Sequence, residues 1–332
     1  MTATIETPLR STAGSHARPD PPATPDRPAR STALAAQLRA RLSPAAVVLA
    51  DEPLARRTTL KVGGPADAYV EPATELDLVE LLEFCRAAGV PLRVLGRGSN
   101  LLVRDGGIRG VVVSLAQPAF VRVTVTGERL RAGAGARLKE VANTARRHAL
   151  AGLEFLEGIP GSVGGALRMN AGAHASWVFD VIEQIRYLTP DGEVIERPAG
   201  DIPAQYRSCS FFTTNLALAA VFRGRPDRAE AIGERMAAFN RRRWDTQPRQ
   251  PSAGCIFKNP AALPAGRLIE ELGLKGHRIG GAEVSSVHGN FLVNLGHARA
   301  ADVLALIDLI RTRAQAERGI LLETEVEIVG ED

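Results

Sequence analysis

Apolar and polar positions repeat with two periods along this chain, and the switches between them mark its elements. Residues 32–42, TALAAQLRARL, put Leu34, Leu38 and Leu42 on one stripe and predict a short amphipathic helix. From about Thr58 the pattern changes to strands, turns and helices. AYVEP reads as a strand, and Thr74 then caps a helix with Asp77 at the capping-box position. Leu78, Val79, Leu82 and Cys85 predict its buried face, and Gly89 closes it. PLRVLG, LLV, GVVVSL, FVRVTVTG and RLRAGAG read as strands, with turns at RGSN and Asp105-Gly106-Gly107. A helix from about Leu138 to His148 follows, and residues 181–198 read as a hairpin about Pro190-Asp191-Gly192. After Arg223 the chain becomes polar, helical and arginine-rich, which places a domain boundary there. The remainder predicts a helix around 267–272, strands around 284–295 and a helix at 301–317. That last helix has Val303, Ile307 and Ile310 on one face and is stopped by Gly319. LLETEVEIVG reads as the closing strand, and no internal repeat is visible.

The organisation expected is therefore a disordered tail at 1–30, a helix and linker at 31–57, and two domains at 58–224 and 225–332. The tail is rich in Pro, Ala, Thr, Ser and Arg and offers too little apolar surface to order itself. A chain of 332 residues has room for two domains with real cores. The net charge, 41 − 37 = +4, suits a phosphorylated substrate as easily as nucleic acid. Aromatics at 5% argue against a protein that stacks many bases, so no nucleic-acid partner is expected. Cys85, Cys209 and Cys255 are odd in number with no close pair, which argues for a reducing compartment. No apolar run approaches membrane length and the N-terminus lacks the apolar core of a signal peptide, so a soluble cytoplasmic chain without a membrane partner is expected. The six histidines show no metal-ligand spacing, and no metal is expected.

Two glycine loops carry the first chemical signal. In LGRGSNLLV, Gly96, Gly98, Ser99 and Asn100 follow a strand. A dinucleotide fingerprint would need a third glycine and a helix, yet position 101 is leucine and a strand follows. The loop reads either as a backbone nest for an anion or as a hairpin turn. In GIPGSVGGALRMNAGAHA, Gly158, Gly161, Gly164, Gly165 and Gly172 fall within fifteen residues, among Ile159, Ser162 and Asn170. Such glycine density costs stability and makes sense where backbone must approach a ligand closely. Two anion-suited loops suggest a diphosphate cofactor, and the lack of a GK[ST] excludes a P-loop. A third signal is Cys255 in SAGCIFKNP, which is either turn filler or a working thiol. Glu323, Glu325 and Glu327 alternate with apolar residues, so period two places all three on one strand face. Arg207 is, by itself, one arginine among many.

Taken in order, TTLKVGGPADAYVEP, LGRGSNLLVRDGG, GLEFLEGIPGSVGGALRMNAGAH, QYRSCSF, TQPRQPSAGCIFKNP, AGRLIEELGLKG, HGNFLVN and LETEVEIVG resemble the UDP-N-acetylenolpyruvoylglucosamine reductase family, from about Thr58 to Gly330. The resemblance implies an α+β chain: a vanillyl-alcohol-oxidase/PCMH-type domain holding FAD without covalent attachment, then a smaller α+β substrate-binding domain. It implies NADPH as co-substrate, UDP-N-acetylglucosamine enolpyruvate as substrate, a cytoplasmic setting and a monomer. By the same resemblance Arg207 polarises the substrate carboxylate, Glu325 lies on its far side and Cys255 donates the proton. The glycine loops hold FAD, and Lys258, Asn259 and Asn290 contact substrate. The short stretch from Arg207 to Arg243 leaves little room for the tyrosine-bearing loop of one subclass, which implies the subclass without it. Residue by residue, Lys258 and Asn259 also read as a solvent lysine and a pre-proline turn. Arg241-Arg242-Arg243 reads as a solvated helix face or as an attractor for a diphosphate. Two other readings compete: a flavin oxidoreductase of the same superfamily acting on an alcohol or lactone, and a nucleic-acid-binding protein using the arginine-rich helix and basic tail.

Overall fold

The computed structural model describes residues 27–261 and 263–332. Residues 1–26 of the expected tail lie outside them. Arg27–Arg30 do not belong to a tail: the first helix runs Arg27–Arg41. It starts ahead of its leucine stripe because Arg27 is tied down, donating to Pro65 O at 3.0 Å and pairing with Asp67 at 3.4 Å. The segment expected as a linker contains a strand, Val47–Pro53, paired antiparallel with Pro65–Glu71. Its Val48 joins Leu38 and Leu42 in the first core.

The first sheet has the order Val47–Pro53, Pro65–Glu71, Ile108–Val113, Leu92–Val94, with the last three strands parallel. The helix Glu75–Ala87 crosses between them. Its Thr74–Asp77 capping box is formed, and the Asp77 carboxylate also accepts from Ser43 N and Oγ. Its buried stripe is Leu78, Leu81, Phe84 and Cys85, while Val79 and Leu82 are half-buried. The second sheet has five antiparallel strands in the order Val194–Pro198, Ile182–Leu188, Leu216–Arg223, Arg129–Gly133, Val123–Thr126, so the last of them in sequence, Leu216–Arg223, inserts at the centre. The strand expected over FVRVTVTG begins only at Val123. Pro118 instead opens a helical turn, Pro118–Val121, that buries Phe120.

The third sheet, Ser252–Cys255, Phe291–Asn294, Ala282–Val284, Arg278–Ile279, packs against the helix Ala300–Arg318 in a second core. The polar helix Ala229–Thr246 had suggested a boundary before it. It buries Ile232 and Met236 in the first core, so the change of core falls after it. The two units are sewn together. Leu60, Val62 and Leu102 enter the second core. Asn294 Nδ2 donates to the carbonyls of Leu60 and Lys61, and Asp105 accepts from the amides of Ala300 and Ala301. Finally Glu327–Val329 returns to the first unit and pairs in parallel with Leu101–Val103.

Candidate active site

The seam between the units opens into a cleft of about 1260 Å³. Gly96, Gly98, Ser99 and Asn100 line it from one loop, and Gly158, Ile159, Gly161, Ser162, Gly164, Gly165 and Gly172 from the other. Arg207, Cys255 and Glu325, far apart in sequence, line the same space.

The glycines are there for different reasons. Gly98 takes φ +58, and a Cβ on it would lie 2.7 Å from Thr58 Cα, so the first loop is jammed against the chain before it. A Cβ on Gly96 would lie 2.7 Å from Ser162 Oγ, which is where the loops meet. A Cβ on Gly161 or Gly165 would meet no protein atom closer than 3.7 Å and 3.5 Å respectively. Nothing in the protein forbids a side chain at those two positions. The space they leave is a cradle for something that is not protein. Ser162 caps the helix Val163–Met169, its Oγ accepting from Gly165 N at 3.4 Å. Asn170 does not reach the cleft. It ends that helix at φ +38, where its amide donates to Gln205 O and accepts from Phe179 N, so its work is structural.

Cations ring the cradle. Arg97, Arg137, Arg243 and Arg249 all line the cleft. Burial and the neighbouring Arg137 both pull Arg97 below the usual guanidinium value. Burial also lowers Arg243, whose Nε is buried without a hydrogen-bond partner. Holding like charges together and partly out of water is costly unless an anion joins them. Arg241 and Arg242 are exposed, so of the arginine run only Arg243 turns inward. Helical periodicity is the signal that selects it: Arg243 continues the i, i+4, i+7, i+11 stripe of Ile232, Met236 and Phe239, and Arg241 and Arg242 do not.

The far end is a different environment. Arg207 sits at φ +54, with its guanidinium carbon 5.7 Å from the Trp177 ring centre and 5.8 Å from that of Tyr206. Its Nε lies 3.0 Å from Glu325 Oε1, yet off the N–H axis, so this is a charge contact that leaves the N–H without a hydrogen-bond partner. Burial raises the Glu325 carboxyl above its ordinary value, against the pull of Arg207 and Lys258. Burial pushes the Cys255 thiol up to about 11, with the Glu325 charge adding and Arg207 subtracting. Glu325 is fixed by its backbone: its N–H donates to Ile256 O at 2.8 Å, and Asn100 Nδ2 donates to its carbonyl at 3.1 Å.

Of the three alternating glutamates, Glu325 and Glu327 both face the cleft and Glu323 does not. Regular strand covers only Glu327–Val329, and Thr324 makes an isolated bridge to Phe257. Glu323 turns to the surface and pairs with Lys258 at 3.0 Å, while Glu325 and Glu327 both line the cleft, Glu325 beside Arg207 and Glu327 paired with Arg93 and Arg168. The expected substrate contacts are elsewhere too. Lys258 is an exposed partner of Glu323. Asn259 accepts from Ala265 N at the start of the helix Ala265–Glu271. Asn290 is 2% exposed, with both ends of its amide bonded to Phe257 N and O. None of the three lines the cleft.

A glycine cradle ringed by cations, opening onto a half-buried thiol, carboxyl and guanidinium, fits a flavin-dependent oxidoreductase. Residues 66–197 match the FAD binding domain family, and residues 247–329 match the C-terminal domain of UDP-N-acetylenolpyruvoylglucosamine reductase. The reductase of that name from Geobacter metallireducens is 47% identical over 90% of this chain and 99% of its own length. That from Moorella thermoacetica is 43% identical over 90% and 98%. The crystal structure of the Thermus caldophilus reductase superposes with a TM-score of 0.73 at 39% identity, covering 85% of this chain and 98% of that one. The chain belongs to the UDP-N-acetylenolpyruvoylglucosamine reductase family. FAD is the cofactor of its first domain, and the open faces of Gly161 and Gly165 beside Arg97 and Arg137 fit a flavin dinucleotide and its diphosphate.

Proposed function

We propose that this chain reduces UDP-N-acetylglucosamine enolpyruvate to UDP-N-acetylmuramate in the cytoplasm, with NADPH as electron source and FAD held without a covalent bond. The two glycine loops and the inward arginines would hold the dinucleotide. FAD, when bound and reduced by NADPH, supplies hydride from N5 to the methylene carbon of the enolpyruvyl group. Negative charge then develops on the neighbouring carbon and its carboxylate. Arg207, whose Nε–H lacks a hydrogen-bond partner, is the group to stabilise it. Glu325 lies against that guanidinium and keeps it turned into the cleft. The Cys255 thiol, held protonated at neutral pH, gives its proton to the carbanionic carbon and recovers one from solvent. NADPH, a proton and the enol ether become NADP⁺ and the lactyl ether. All three side chains come from one chain, so a monomer suffices.

The observation that carries this reading is the convergence of Cys255, Arg207 and Glu325 on the cleft lined by both glycine loops. The test is NADPH oxidation with and without the enolpyruvyl substrate, together with FAD release on acid precipitation. Single-turnover reoxidation of the reduced flavin should slow by roughly 10²–10⁴-fold in Cys255→Ala and recover largely in Cys255→Ser, while reduction by NADPH is unchanged. Equal reoxidation in wild type and Cys255→Ala, with FAD content unchanged, returns the cysteine to turn filler.

A further inference from the structure

The first glycine loop is tied to the segment that carries the thiol, and Thr59 makes the tie. Its backbone N–H donates to Gly98 O at 3.2 Å. Its hydroxyl lies 2.7 Å from Ser252 O and 3.2 Å from Gly98 O. Both neighbours of the hydroxyl are carbonyl oxygens, so its single proton serves one at a time. The amide already serves Gly98, and the shorter distance assigns the hydroxyl to Ser252.

Ser252 begins the strand that ends at Cys255. That strand is bulged: Ser252 pairs with Val293 and Cys255 with Phe291, so three steps on one side oppose two on the other. Gly254, inside the bulge, takes φ +78. A bulge re-aims the side chains that follow it but leaves a residue outside the ladder, so the ladder alone does not fix where Cys255 points. The first loop supplies the missing constraints. Thr59 holds the start of the bulge, and Ser99 O lies 3.9 Å from the Cβ position of Gly254.

We propose that Thr59 is a positioning residue for proton transfer, its hydroxyl registering the Cys255 strand against the loop that holds the flavin. The inference rests on Cys255 as proton donor. Thr59 handles no proton of the reaction, since both of its hydroxyl partners are acceptors. It acts through geometry, where a displacement of about 1 Å can cost roughly 100-fold.

The test uses the full-length holoenzyme with Thr59→Val, which keeps the shape and loses the hydroxyl, and Thr59→Ser, which keeps the hydroxyl. In Thr59→Val, flavin reduction by NADPH should stay within about twofold of wild type, while reoxidation by the enolpyruvyl substrate slows roughly 10- to 100-fold. A second readout is independent of turnover. A loosened bulge exposes the thiol further to water, so Cys255 alkylation at pH 8, followed by peptide mass spectrometry, should become several-fold faster. Thr59→Ser should restore both. Wild-type reoxidation and alkylation in Thr59→Val, or Thr59→Ser as impaired as Thr59→Val, overturns the proposal. Thr59→Ala stands in if the valine variant does not fold, and because Thr59 also lines the cleft, loss of FAD in both assigns the hydroxyl to the fold or to cofactor binding and ends the idea. Slow Cys255→Ala with fast Thr59→Val sinks this inference alone. Fast Cys255→Ala sinks the reading beneath it.

Discussion

At neutral pH the Cys255 thiol should resist alkylation even though it faces an open cleft. Only thiolate attacks iodoacetamide. Burial and the Glu325 charge move this thiol from the ordinary 9.0 to about 11. At any pH below about 8 that leaves about a hundredfold less thiolate than in an unstructured cysteine. The second-order rate at pH 7.5 should therefore lie about a hundredfold below that of a flexible cysteine peptide, and rise about tenfold per pH unit until it levels near pH 11. Glu325→Gln removes the like charge and should speed the reaction, whereas Arg207→Ala removes the opposing one and should slow it. Quenched samples of the full-length enzyme, digested and read peptide by peptide, separate Cys255 from Cys85 and Cys209, which are 4% and 2% exposed. A rate at pH 7.5 equal to that of the free peptide, or a plateau below pH 9, would refute the claim that the thiol is held protonated. The case for Cys255 as proton donor would fall with it.

Two further outcomes follow from the geometry. Arg207→Ala and Glu325→Gln should slow flavin reoxidation by substrate roughly 100-fold or more while NADPH still reduces the flavin. Glu323→Gln, on the surface, should change it by no more than about twofold, and equal damage from Glu323→Gln would show that the wrong glutamate was chosen. Gly161→Ala should keep the melting temperature of the FAD-free protein and lose FAD affinity, because its methyl enters the cradle and meets no protein atom closer than 3.7 Å. Gly98→Ala should destabilise the fold itself by about 1–3 kcal/mol, since it strains φ +58 and collides with Thr58. Thermal melts of the FAD-free proteins and flavin titration distinguish the two, and unchanged FAD affinity in Gly161→Ala would remove that loop from the cofactor site.

Local chemistry was legible in the sequence wherever it acts over a few residues. The Thr74–Asp77 capping box and the Gly319 stop are formed as their positions require. Glycine density marked the cradle, because a backbone that must meet a ligand cannot carry side chains. What the sequence hid was set by long-range pairing. Period two placed Glu323, Glu325 and Glu327 together, but regular strand begins only at Glu327, and Glu323 turns to the surface while Glu325 and Glu327 line the cleft. Asn290 looked like a ligand and proved to be a buried clasp on Phe257, a role visible only once residues 257 and 290 are adjacent. Likewise, the strand Val47–Pro53 reads as linker until Pro65–Glu71 lies beside it.

The parallel pairing of Glu327–Val329 with Leu101–Val103 has a consequence for how the molecule is made. Val329 belongs to a small core with Leu54, Tyr69, Leu101, Val103 and Val112, all laid down more than two hundred residues earlier. On the ribosome that core must wait for nearly the whole polypeptide, since synthesis runs from the N-terminus at about 5–20 residues per second. Glu325 lies two residues before the closing strand, so the cleft gains its carboxyl in the same late event. A nascent chain cannot carry a complete reaction centre until residues 325–329 have emerged, because Asn100 of the first glycine loop is also bonded to Glu325.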